Sequence, residues 1–269
     1  GVDPGAAKQA LSRDFETVAR AWLAHWRPGR SERYVDYVVT RLEGDIFPDI
    51  GARPVAELTA AEFRDAVRKV ERRGASEIAR RLLQNCGQIM RYAVANDLAP
   101  RNPVAEVKPS DILKARKKRN YPRVSARELP DLLRAIDSYA GGEHTRLALQ
   151  LMALTFVRTS ELIGARWPEF DLKESRWDIP AERMKMKTPH VVSMSNQAKA
   201  ILERLGAISF DREFVFPGDQ NPHKPMSNNT LLFALYRMGY RSRMTGHGFR
   251  GVASTILHEQ GWPHEHIEL

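Results

Sequence analysis

Apolar residues in the first third of the chain recur every three to four positions, the spacing of amphipathic helices. Phe15, Val18, Ala19, Trp22 and Leu23 predict a helix from Phe15 to His25. Tyr34, Val35, Val38, Val39 and Leu42 predict a second with these residues inward, capped by Ser31. Asp45 to Gly51 is rich in turn formers and reads as a connection. Thr59-Ala60-Ala61-Glu62 has capping-box spacing and opens a third helix to about Glu71, which Gly74 breaks. A fourth, from about Ser76 to Ala95, turns Ile78, Leu82, Cys86, Ile89, Met90 and Ala93 to one side. A second capping box, Ser125-Ala126-Arg127-Glu128, precedes helical patterns over Leu129 to Tyr139 and Thr145 to Phe156. After Trp167 the period shortens. Phe170 to Leu172, Arg176 to Pro180 and His190 to Met194 read as strands, the last two joined by a basic turn at Met184 to Pro189. Helical patterns return over Asn196 to Leu205, Asn228 to Arg237, and after Gly246 through Val252, Ala253, Ile256 and Leu257. The expected fold is mainly α with a small antiparallel β-sheet, an α+β chain. Residues 1–107 form an all-α domain with helices from about residue 8, 108–123 a basic linker, and 124–269 a second domain.

Charge adds a partner to this picture. The chain carries +9 and a pI near 9.8. Residues 1–120 hold 23 basic and 16 acidic side chains, a surplus of +7, against 19 and 17, or +2, in the remainder. A basic first half predicts a polyanionic partner, and double-stranded DNA fits better than a membrane, since no apolar run approaches ~20 residues. The polar face of the fourth helix offers Arg80, Arg81, Gln84, Gln88 and Arg91 to DNA. The linker adds Lys114, Lys117, Lys118 and Arg119 to phosphate-contact candidates and is expected to be ordered along a duplex. The lone cysteine, Cys86, falls on an apolar face and predicts a reduced, cytoplasmic core residue. His258, His264 and His266 have no nearby cysteine, so no metal is expected; no G-x-S-x-G turn supports a serine hydrolase.

Four side chains spread along the second half suit one chemistry. Arg158 stands between an apolar helix and the next, a junction that predicts a mostly buried guanidinium in need of an anion, with Glu161 as its partner. His247 and Arg250 are three residues apart, hence on one helical face, behind Gly246 and Gly248. Lys185 occupies the basic turn, with Lys187 a competing candidate. Paired arginines hold the non-bridging oxygens of a pentavalent phosphorus without a metal or other cofactor, a lysine protonates the leaving oxygen, and a histidine takes up a hydroxyl proton.

The ordered set resembles the tyrosine recombinases, and among them the phage-type and genomic-island integrases. The resemblance runs through Thr155-Phe156-Val157-Arg158-Thr159-Ser160-Glu161-Leu162, Glu182-Arg183-Met184-Lys185, Pro189 to Ser195 and Thr245-Gly246-His247-Gly248-Phe249-Arg250. In the first half it runs through Asp45 to Gly51 and Arg101-Asn102-Pro103. It implies a core-binding domain followed by a catalytic domain. It makes Arg158, Lys185, His247 and Arg250 catalytic and Glu161 supporting. The implied activity is site-specific recombination: DNA is cut and rejoined through a covalent 3′-phosphotyrosyl intermediate, integrating or excising a viral genome or other mobile element. The implied partner is the core sequence of an attachment site, bound by a homotetramer in the full-length protein, in the cytoplasm at the nucleoid. The family's nucleophile follows the second arginine by a few tens of residues, and all seven tyrosines here precede Arg250. The 269 residues are therefore expected to be a segment, with an arm-binding domain before Gly1 and the tyrosine after Leu269, that holds DNA without supplying the nucleophile. The alternative is a DNA-binding regulator without chemistry, which needs the basic surface but no convergence of the four side chains.

Overall fold

The structure, a computed structural model, describes residues 13–115, 121–184 and 186–267. It is mainly helical with one three-stranded antiparallel sheet, as the periodicity predicts. The chain divides into two compact units, residues 1–118 and 119–269. Among the described residues no helix is long and apolar enough to cross a membrane.

The first unit holds α1 (Phe15–Trp26), α2 (Glu32–Asp45), α3 (Ala60–Arg72), α4 (Ser76–Ala95) and the single turn α5 (Pro109–Ile112). Asp14 caps α1 by accepting from the Thr17 N–H at 2.8 Å, and Glu62 closes the box at the start of α3 by accepting from Thr59 N–H and hydroxyl, each at 2.9 Å. The apolar faces meet around Phe15 and Phe63, whose rings pack edge to face with centroids 5.5 Å apart. Cys86 is buried there, and desolvation pushes its thiol up to about 12, so it is an inert core atom. Three expectations change. Tyr34 is exposed, because α2 turns only Val35, Val38 and Leu42 fully inward. The connection after α2 is a helical turn, Phe47–Gly51, that buries Ile50 and tolerates Pro48 in its first turn, where no N–H is required. Residues 108–114 are packed on the first unit. Leu113 enters its core, Lys114 N–H donates to Glu71 at 2.7 Å, and Arg68 donates to the Ile112 carbonyl at 3.1 Å. Apolar Ile112 and Leu113, set among the cations of this stretch, are what fasten it.

The second unit begins with the capping box at Ser125, whose N–H and hydroxyl donate to Glu128 at 2.9 and 2.8 Å. It continues through α6 (Leu129–Asp137), α7 (Glu143–Thr155) and α8 (Thr159–Ile163). The sheet follows as β1 (Phe170–Asp171), β2 (Arg176–Ile179) and β3 (His190–Ser193), then α9 (Asn196–Ser209), α10 (Asn228–Arg237), α11 (Gly246–Glu259) and α12 (His264–Ile267). β2 is central, with Trp177 opposite both Phe170 and Val192, and Ile179 opposite His190. Alternation sends Trp177 and Ile179 into the core, where they meet the buried face of α7 and side chains from α8 to α11.

Candidate functional site

Helix α7 ends where Phe156 adopts φ +53°, a left-handed conformation that a bulky side chain rarely takes. Such strain costs on the order of 1–3 kcal/mol and persists where the surroundings impose it. It reverses the chain so that Arg158 becomes the N-cap of α8, and it turns the Phe156 carbonyl outward. That carbonyl accepts from Arg250 Nη1 at 2.8 Å, tying α11 to the end of α7. Glu161 is buried, with its side chain only 3 % exposed, and serves Arg158 twice. Its Oε2 accepts from the Arg158 N–H at 2.8 Å and its Oε1 from Arg158 Nη1 at 2.6 Å. The Arg158 side chain remains 35 % exposed, less buried than its helix junction predicts, because one edge of the guanidinium faces a cleft.

The cleft, of about 460 Å³, is lined by Arg158, His190, His247 and Arg250, with Thr155 and Phe156 at the end of α7 and α12 contributing Ile267. Helix α11 delivers His247 and Arg250 from one face. Its cap, Thr245, accepts from the Gly248 N–H at 3.1 Å. Gly246 permits the approach to α8: a Cβ there would stand 2.3 Å from the Thr159 hydroxyl. The His247 pKa is lowered, first by desolvation and then by the charges of Arg250 and Arg158, so the imidazole is neutral at pH 7. Two cations with one aimed at an inward carboxylate, beside a neutral base, make a receptor for an oxyanion that also has a proton acceptor. Among the described residues no group of three or more His, Cys, Asp or Glu is placed to hold a metal ion.

Lys185 lies outside the described residues. The segment leading to it is fastened by Arg183, which donates to the Glu169 carboxylate and to the Glu161 carbonyl. Lys187 is exposed in the turn at φ +57°, its N–H donating to the Met184 carbonyl at 3.2 Å. Two lining groups escaped the sequence reading. His190 shares the inward face of β3 with Val192, so period-two alternation from that buried valine would have found it. The Phe156 carbonyl left no side-chain signal.

The DNA-contact candidates of the first unit border a polar cleft of about 690 Å³, lined by Arg80, Arg81, Gln84 and Gln88 with Trp26, Arg30 and Tyr34. Arg80 also donates to the Lys114 carbonyl, and Arg81 pairs with Glu77 at 3.2 Å, so neither is a free cation. Arg91 is exposed on α4 and does not line this cleft. Lys117, Lys118 and Arg119 lie outside the described residues, as does Arg116.

Comparison with known proteins follows the same division of the chain. Residues 15–110 match the phage integrase central domain and residues 122–268 the phage integrase family. The integrase of Enterobacteria phage P4 is 38 % identical over 292 aligned positions that take in 100 % of this chain and 65 % of the relative. The integrase of Shigella phage Sf6 is 32 % identical, covering 100 % of this chain and 70 % of the relative. The chain thus spans about two thirds of the length of these curated relatives. Among solved structures, the Tn1549 transposon integrase in complex with a circular intermediate DNA superposes with a TM-score of 0.79, over 96 % of this chain and 90 % of that one, at 14 % identity. A lambda integrase tetramer bound to a Holliday junction gives 0.77, over 100 % and 80 %, at 16 % identity. At such identities the superpositions establish the fold, and the sequence matches establish the lineage: the chain belongs to the phage integrase family of tyrosine recombinases.

Proposed function

We propose that this chain is the DNA-binding and phosphate-activating part of a site-specific recombinase that integrates or excises a mobile element. The observation that carries the reading is the convergence of Arg158, His247 and Arg250 on one cleft, with Glu161 and the Phe156 carbonyl fixing the two guanidiniums. A regulator that only binds DNA has no use for that convergence. In the proposed reaction the scissile phosphate enters the cleft and each guanidinium holds non-bridging oxygens, strengthening its hold as charge grows on the pentavalent phosphorus. Neutral His247 takes the proton of the attacking tyrosine hydroxyl. The new O–P bond forms as the P–O5′ bond breaks, and Lys185 returns a proton to the departing 5′-oxygen. The product is a 3′-phosphotyrosyl link, which retains the bond energy for rejoining. The nucleophile is not assigned to a residue of this sequence, whose seven tyrosines all precede Arg250.

The substrate is double-stranded DNA at an attachment-site core, held in part by the α4 face, Lys114 and the cations that follow it. Related integrases are solved on DNA, one of them as a tetramer on a Holliday junction, which supports a tetrameric assembly on DNA; its proposed place of work is the nucleoid. The test is a nicked suicide duplex that loses its short 5′ end once cut, offered to the full gene product. A denaturation-resistant protein–DNA band is expected, abolished when Arg158 or Arg250 is alanine. Salt-sensitive duplex binding with no such band would favour the regulator.

A further inference from the structure

Nothing described so far orients the His247 ring: among the described residues it makes no hydrogen bond and no ion pair. What lies against it is the chain entering the second unit. The Tyr121 ring stands 4.7 Å from the His247 ring, centroid to centroid, inclined by 59°. The next two residues continue across the first turns of α11. A Cβ on Gly248 would stand 2.7 Å from the Pro122 carbonyl oxygen and 2.8 Å from Met244 Sδ, and one on Gly251 would stand 2.7 Å from Arg123 Nη1. The two glycines are therefore the seat of this strap, and at Gly248 the obstacle is backbone, which does not swing aside. Tyr121 is 64 % exposed, so core filling does not account for its place.

We propose that Tyr121 is a positioning residue for His247. Its ring walls the imidazole, fixes its rotamer toward the cleft and keeps water from it, and Gly248 exists to let the strap come close enough to do so. The state of the histidine is thereby tied to the path of the chain entering the second unit. The inference rests on the reading of His247 as a phosphate-facing group. Arg250 on its own helix, Arg158 at the start of α8 and His190 on β3 share the cleft with the imidazole, and Arg123 of the strap lies beside Gly251; desolvation first, then the charges of Arg250 and Arg158, lower its pKa.

The experiment is carbon-13 NMR of histidine-labelled chain, with the His247 signal assigned by its loss in His247→Gln. Orthovanadate, a mimic of pentavalent phosphorus, is the ligand. In the unmutated chain vanadate should displace the His247 signal; a signal indifferent to vanadate would remove the phosphate-site reading itself. Tyr121→Ala should erase the ring-current displacement of His247, raise its pKa toward the ordinary histidine value, and weaken vanadate roughly three- to tenfold, the range of one aromatic contact. Tyr121→Phe should keep all three properties. Gly248→Ala, with Tyr121 intact, should reproduce the losses by lifting the strap. A Tyr121→Ala spectrum identical to the parent, with vanadate still moving His247, would overturn the positioning role and leave the site reading untouched. Loss in Tyr121→Phe equal to that in Tyr121→Ala would also overturn it, because the hydroxyl and not the ring would then be the working part. The ring-current and pKa comparisons decide the matter even where vanadate binds weakly.

Discussion

Replacing Glu161 by alanine separates what holds Arg158 from what Arg158 holds. Glu161 is buried and accepts from the Arg158 Nη1 at 2.6 Å and from the Arg158 N–H at 2.8 Å, so one substitution removes an ion pair and a helix-start acceptor together. Deleting one partner of a fully buried pair costs about 3–5 kcal/mol, because the other charge is stranded. Arg158 keeps 35 % of its side chain exposed, so water resolvates part of it and the cost falls to roughly 2–3 kcal/mol, about 1 of which is the lost cap. For a unit of this size each kcal/mol moves the melting midpoint by about 2–4 °C, which places the expected drop near 5–10 °C. Glu161→Gln keeps one acceptor but turns an N–H₂ toward the other donor; it should lose about 1–2 kcal/mol. The two units need not melt together, so hydrogen exchange followed by mass spectrometry over α7 and α8 is the proper assay. Occupancy of the cleft adds a second reading. With the carboxylate gone, the unpaired guanidinium gains more from an oxyanion, so orthovanadate should stabilise Glu161→Ala more than the unmutated chain. A change in stability below about 0.5 kcal/mol, the level of an indifferent surface substitution, would refute the argument, as would vanadate protection equal in both proteins.

Three further outcomes follow from the site. In the full gene product Arg158→Ala and Arg250→Ala should each slow strand cleavage by ~10²–10³ while DNA affinity, read by anisotropy, changes little, and lysine at either position should rescue poorly because it lacks the fork. A 5′-phosphorothiolate substrate, whose sulfur leaves without a proton, should restore cleavage to Lys185→Ala and not to Arg158→Ala; rescue of Lys187→Ala instead would move the general acid two residues along. The folded-state pKa of His247 is lowered, so the neutral ring contributes stability in full above the unfolded value of about 6.5 and loses it as pH falls through the folded value. The acid limb of the cleavage profile should accordingly lie below pH 6.5, and in Arg250→Ala, which loses one of the charges that depress it, the limb should move upward; an NMR titration of His247 checks both.

Much of this protein is written in one dimension. Helical period and capping pairs such as Thr59–Glu62 and Ser125–Glu128 are local: each signal lies within one turn, so the chain declares it before it folds. The same holds for His247 and Arg250, brought to one face by a spacing of three, and for Arg158 with Glu161. Tertiary structure decided how far those pairs turn toward each other. Arg158 and Arg250 are far apart in sequence, and what joins them is a backbone carbonyl at Phe156, exposed by a left-handed residue that no side-chain pattern announces. Residues 108–114 read as part of a basic linker because charge is counted by composition; Ile112 and Leu113, with the hydrogen bonds of Arg68 and Glu71, fasten them to the first unit. Arg80 and Arg81 likewise read as free cations until the fold supplied the Lys114 carbonyl and Glu77 as partners. His190 reached the cleft from a strand, and Tyr121 reached the His247 ring from a connecting strap; the patterns of both segments concern only their immediate neighbours. Sequence specifies which groups can meet an anion, because that follows from their chemistry and local spacing. Which of them do meet one is set by long-range packing, where burial, carbonyl direction and the room left by Gly246 and Gly248 choose among cations that look alike along the chain.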